Sequence, residues 1–132
     1  MKTVFVDTSG FYAVLDGTDP FHAEATAAFE RAKQDQWTLR TTNYVVHETW
    51  ALVQHRLGWD AVEDFLDVLL SLCQVEFVDA VSHALGVARC RQARLRQLSL
   101  TDCISLELMK RDGLNEAIAR DSHYTRENIV MP

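Results

Sequence analysis

A chain of 132 residues with 48% apolar content makes one domain able to bury a core, which excludes a disordered or purely solvated polypeptide. No stretch approaches the ~18 apolar residues of a membrane span, and no signal-peptide pattern opens the chain, so a cytoplasmic protein is expected. The net charge of −6 speaks against a nucleic-acid partner, yet residues 1–80 hold 5 Lys and Arg against 13 Asp and Glu (−8), and residues 81–132 hold 8 against 6 (+2), so the average hides a basic region.

Val4, Phe5 and Val6 form an uninterrupted run that suits a strand buried on both faces of a parallel sheet. The run stops at Asp7, and Thr8, Ser9 and Gly10 turn the chain. A carboxylate at the C-terminal end of such a strand lies where parallel sheets bind ligands. The same residue also suits the N-cap of the next helix, with Thr8 and Ser9 as alternatives. Phe11–Leu15 reads as a short apolar helix. Asp19-Pro20 opens another, running to about Gln36 with Phe21, Ala25, Ala28, Phe29 and Ala32 on one face. Trp37–Thr42 reads as the second strand, and Asn43 as the cap of a third helix that stops at Gly58.

Glu48 lies in that third helix beside its apolar stripe, and its neighbours three and four residues away, Tyr44, Val45, Ala51 and Leu52, are all apolar. A carboxylate so placed is costly to bury unless something cationic meets it; otherwise it reaches solvent or pairs with Arg56. Asp60 and Glu63 begin a helix to about Leu72 whose apolar arc, Val68 through Phe65, Val62 and Leu66 to Leu70, spans roughly 200°. Such a width fits either a helix sandwiched between layers or a partner surface extended by Trp59. Val75, Phe77 and Val78 read as the third strand, and Ala80 to about Arg96 as a helix rich in arginine. Ser99 or Thr101 caps a helix that ends at Gly113; Ala117–Ala119 is a fourth strand and Asn128–Val130 a short fifth. Strands alternating with helices define an α/β class with a parallel sheet and right-handed crossovers. Cys73, Cys90 and Cys103 share no metal-like spacing and read as small core residues in a reducing compartment.

The acids then fall into a pattern. Asp7 and Asp121 each end a predicted strand, Asp102 opens a helix, and Glu48 lies in the second turn of another. Strand C-ends and the first turns of the following helices face one edge of such a sheet. Carboxylates gathered there repel one another, and a divalent cation relieves the repulsion. All-oxygen donors favour Mg²⁺ or Mn²⁺ over zinc. Asp102 is equally at home in a first helical turn through the helix dipole.

Four segments carry a family resemblance: V-F-V-D-T-S-G ending at Gly10, T-T-N-Y-V-V-H-E ending at Glu48, L-S-L-T-D ending at Asp102, and A-I-A-R-D-S-H-Y around Asp121. In order and spacing the chain, residues 1–132 as a single domain, resembles a PIN domain, at a size similar to the VapC-type ribonuclease toxins. The resemblance implies a three-layer α/β/α sandwich around a parallel sheet of four to five strands. It implies a Mg²⁺- or Mn²⁺-dependent endoribonuclease with Asp7, Glu48, Asp102 and Asp121 as metal-binding, catalytic acids, and Thr8 or Ser9 assisting by hydroxyl. It further implies a cognate antitoxin protein and a homodimer. Arg89 and Arg96, a heptad apart, together with Arg120 are candidates to hold RNA phosphates.

Other classes fit less well. A phosphatase of the haloacid-dehalogenase type wants a second aspartate where this chain has Ser9. A flap-endonuclease-like DNA nuclease uses more acids and a longer chain, and an interaction module without catalysis does not require all four acids.

Overall fold

A computed structural model describes residues 1–120 and 122–132 of the chain. Four parallel strands, β1 (Thr3–Val6), β2 (Thr38–Thr42), β3 (Cys73–Glu76) and β4 (Ala117–Ile118), lie in the order β3-β2-β1-β4. The chain lays down β1, β2 and β3 side by side and then returns to place β4 on the free side of β1. The order therefore reverses at β1. In open α/β sheets ligands bind at this switch point, beyond the carboxyl ends of the strands.

Helices α1 (Thr8–Leu15), α2 (His22–Gln34), α3 (Asn43–Arg56), α4 (Trp59–Asp64), α5 (Ala80–Ala93), α6 (Leu100–Asp112) and α7 (Ser122–Arg126) flank the sheet. Val4, Phe5 and Val6 are buried, as an inner parallel strand requires. Phe11 fills the space between layers, edge-on to Phe65 at 5.1 Å and tilted against Phe29 at 5.9 Å. Gly86 is where α5 crosses α6: a Cβ there would overlap the Ile104 side chain. Cys103 is buried and Cys73 half-buried, and burial pushes both thiols up to about 12. Among the described residues no helix is long and apolar enough to cross a membrane.

Several boundaries differ from expectation for identifiable reasons. The third strand ends at Glu76, because its partner β2 gives way to α3 after Thr42, the residue paired with Glu76. Phe77 is left 78% exposed. The cap of α3 is Thr42, whose Oγ1 accepts the Val45 amide at 3.2 Å; Asn43 instead accepts the Val78 amide and fastens the segment after β3. The fifth strand reduces to one parallel bridge between Glu116 and Val130.

The long helix expected to Leu72 breaks after Asp64 into a π turn (Phe65–Leu69) and a 3₁₀ turn (Leu70–Leu72). Val62, Phe65 and Leu69 all reach the core by this change of winding, while Trp59 and Val68 remain outside. The wide apolar arc is thus mostly interior, and Phe65 belongs to the core. Helix α5 stops at Ala93, with Arg94 left-handed at φ 51°. Arg96 consequently lies past the helix, and its heptad relation to Arg89 dissolves.

Candidate active site

Asp7 follows the last residue of β1, and its backbone is held on both sides. Its amide donates to the Ile118 carbonyl of β4 at 3.2 Å, and its carbonyl receives the amides of Gly10 and Phe11. Gly10 lets this turn close against β4, since a Cβ there would overlap the Ile118 carbonyl oxygen. Asp7 is 3% exposed. Its Oδ2 accepts the Ser9 amide at 3.4 Å and the Ser9 hydroxyl at 2.9 Å, and its Oδ1 accepts the Tyr124 hydroxyl at 3.0 Å. Asp7 is therefore both the N-cap of α1 and an acid at the switch point. Burial raises its pKa above the ordinary carboxylate value, and the nearby charge of Glu48 adds to the rise. The Ser9 and Tyr124 donors oppose it.

Glu48 projects from α3 and Asp102 from the first turn of α6, and both line the same cleft of about 390 Å³ as Asp7. Asp102 also completes a capping box: it accepts the Ser99 amide at 3.1 Å while its own amide donates to the Ser99 hydroxyl at 3.0 Å. The helix-start role and the place in the cleft thus coexist in one side chain. Asp121, the fourth acid expected, lies outside the described residues. Among the described residues no three His, Cys, Asp or Glu side chains are gathered tightly enough to bind an ion by themselves. Asp7, Glu48 and Asp102 stand around one cleft, brought there by three separate elements.

The hydroxyl candidates have defined partners. Ser9 Oγ donates to Asp7 and accepts the Arg120 amide at 3.0 Å, which ties the start of α1 to the end of β4. Thr8 lines the cleft and receives the buried Thr49 hydroxyl at 3.3 Å.

The basic candidates separate. Arg89 is 19% exposed at its side chain and is held between Glu107 and Glu127, each at 2.9 Å, so its charge is neutralised within the fold. That removes it from the cations free to meet RNA. Arg96 is exposed but does not line the cleft, although its neighbour Gln97 does. Arg120 does line it, with a side chain 55% exposed and 3.6 Å from Asp19.

Two contributors, Tyr124 and Tyr12, were not expected from the sequence. Tyr124 lies on α7, and its buried hydroxyl reaches Asp7. Burial and the charges of Asp7 and Asp102 hold that phenol far above its usual pKa. Tyr12 and Arg56 form another wall of the cleft. Arg56, expected as a possible partner of Glu48, lines the same cleft two four-residue steps further along α3, with no ion pair between the two among the described residues.

The donor chemistry fits a hard divalent cation. The described acids offer only oxygen, and Asp7, its pKa raised chiefly by burial and further by the charge of Glu48, sits where a positive charge would stabilise the carboxylate.

Comparisons with known proteins bear on the family and the fold. The PIN domain family model matches residues 4–127. A curated relative, the 23S rRNA-specific endonuclease VapC20 of Mycobacterium tuberculosis, is 27% identical over 128 residues, covering 96% of this chain and 95% of its own. The crystal structure of VapC20 from that organism, a sarcin-ricin loop cleaving toxin, superposes with a TM-score of 0.83 at 26% identity, covering 98% of each chain. VapBC2 from Rickettsia felis, bound to a DNA fragment from its promoter, shares the fold with a TM-score of 0.68 at 12% identity, covering 98% of this chain and 97% of its own.

Proposed function

The chain belongs to the PIN domain family, and from that premise we propose that it is a Mg²⁺- or Mn²⁺-dependent endoribonuclease, the toxin of a toxin–antitoxin pair. The observation that carries this function is the meeting of Asp7, Glu48 and Asp102, from three different elements, on one cleft at the switch point of the sheet. Asp121, the residue after Arg120, would complete the set. These acids would hold the metal ion, which when bound supplies an activated water and neutralises charge on the scissile phosphate.

The chain's own residues prepare the site. Ser9 and Tyr124 hold the Asp7 carboxylate by both oxygens, so its direction is set before any ligand arrives. The capping box fixes Asp102 at the start of α6. Arg120 stands at the mouth with an exposed guanidinium for the approaching backbone. No side chain need act as nucleophile.

VapC20 supports 23S ribosomal RNA as the first substrate to try and an antitoxin protein as the natural inhibitor. A homodimer in the cytoplasm completes the proposed assembly, with exposed Trp59 and Val68 available for contact. The test is incubation with a panel of RNAs in Mn²⁺ and in EDTA, beside Asp102→Asn. Cleavage is expected from the wild type with metal alone; equal cleavage by the variant would refute the assignment.

A further inference from the structure

The cleft is lined by Asp7, Asp19, Glu48 and Asp102, a field that repels a polyanion until cations offset it. Two guanidiniums line it as well. Arg120 shares its charge with Asp19 at 3.6 Å. Arg56 lies in no ion pair among the described residues. It is nonetheless held in place: its guanidinium lies 5.6 Å from the centre of the Tyr12 ring, and Tyr12 is anchored by its hydroxyl, which donates to Asp16 at 2.8 Å. An arginine held beside an aromatic ring and its hydroxyl has a restricted orientation, and its remaining N–H donors suit a phosphate.

Its position along α3 says which phosphate. Glu48, Leu52 and Arg56 succeed one another at four-residue steps on the cleft side of the helix. Eight residues of helix separate Glu48 from Arg56 by about 12 Å. An RNA strand lying along the cleft can meet the acids at one nucleotide and Arg56 at a neighbouring phosphate.

We propose that Arg56, held beside Tyr12, is a subsite for an RNA backbone phosphate flanking the one to be cleaved. The subsite presupposes the nuclease activity proposed above, and binding separates the two. A fluorescent single-stranded RNA is titrated in EDTA at several salt concentrations with wild type, Arg56→Gln and Arg56→Lys. Thermal melting checks that the exposed substitutions leave the fold intact.

Arg56→Gln is expected to bind several-fold more weakly, with the slope of log affinity against log salt reduced by about 0.7, the value for one single-strand phosphate contact. Arg56→Lys, which keeps the charge and loses the fork, is expected to restore the slope and only part of the affinity. In cleavage assays the Arg56→Gln loss should fall on KM, with kcat retained. Equal affinity and slope for wild type and Arg56→Gln would overturn the subsite alone. Wild type that holds no RNA in EDTA at any salt would overturn the subsite, while the nuclease function stands or falls separately on cleavage with Mn²⁺.

Discussion

The hydroxyl of Tyr124 donates to Oδ1 of Asp7 at 3.0 Å, joining the helix after β4 to the end of β1 through a bond buried from solvent. With Ser9 on the other oxygen, it leaves the Asp7 carboxylate little rotational freedom. Tyr124→Phe keeps the ring in the core and removes only this donor. It should cost about 1.5–3 kcal/mol, the range for a hydrogen bond to a charged group. Because partners that orient a ligand typically matter 10–100-fold for metal affinity, the Mn²⁺ concentration that half-saturates the thermal shift should rise by at least ~10-fold. An unchanged Mn²⁺ titration would show that Ser9 alone holds the carboxylate.

Asp7 itself should be a source of instability without metal. Its native pKa is raised by burial and by Glu48. For a raised acid the favourable contribution is complete below the unfolded value, about 4, and is lost as pH rises through the native value. Asp7→Asn, which caps a helix about as well, should therefore melt above wild type in EDTA at neutral pH, and the gap should close as pH falls toward 4. With excess Mn²⁺ the order should narrow or reverse, because only the wild type gains from the ion. A gap independent of pH would assign the effect to something other than this carboxylate.

The turn that presents Asp7 should tolerate no added carbon. Gly10→Ala sets a Cβ against the Ile118 carbonyl oxygen, a backbone atom that cannot swing aside. A loss of about 1–3 kcal/mol is expected from this overpacking, outweighing the ~1 kcal/mol that alanine gains over glycine in a helix. Denaturant unfolding of Gly10→Ala measures it, and a variant more stable than wild type would contradict the close approach of α1 to β4.

Much of this architecture was legible because its signals are local. The run Val4–Val6 and the glycines and caps around it announce a buried strand and a turn, and strand–helix alternation announces the parallel sheet. Asp7, Glu48 and Asp102 could be gathered before any coordinates because topology alone sends strand ends and helix starts to one edge. What failed depended on tertiary partners. The end of β3 is set by where β2 turns into α3. The break after Asp64 answers to Phe11 and the core. Arg89 looked like a surface cation until Glu107 and Glu127, 18 and 38 residues away, closed on it. Tyr124 reaches Asp7 across 117 residues of chain, and no spacing rule carries that far.

The most direct measurement of the central claim is cleavage of purified 23S ribosomal RNA by wild type and Asp7→Asn, each in Mg²⁺, in Mn²⁺ and in EDTA, with the new ends mapped. The four-acid site predicts discrete cuts by the wild type with either metal, none in EDTA, and a loss of at least ~10²-fold in rate for Asp7→Asn, the scale of removing a group that stabilises developing charge. Cleavage that persists in EDTA, or that Asp7→Asn performs at the wild-type rate, would contradict it.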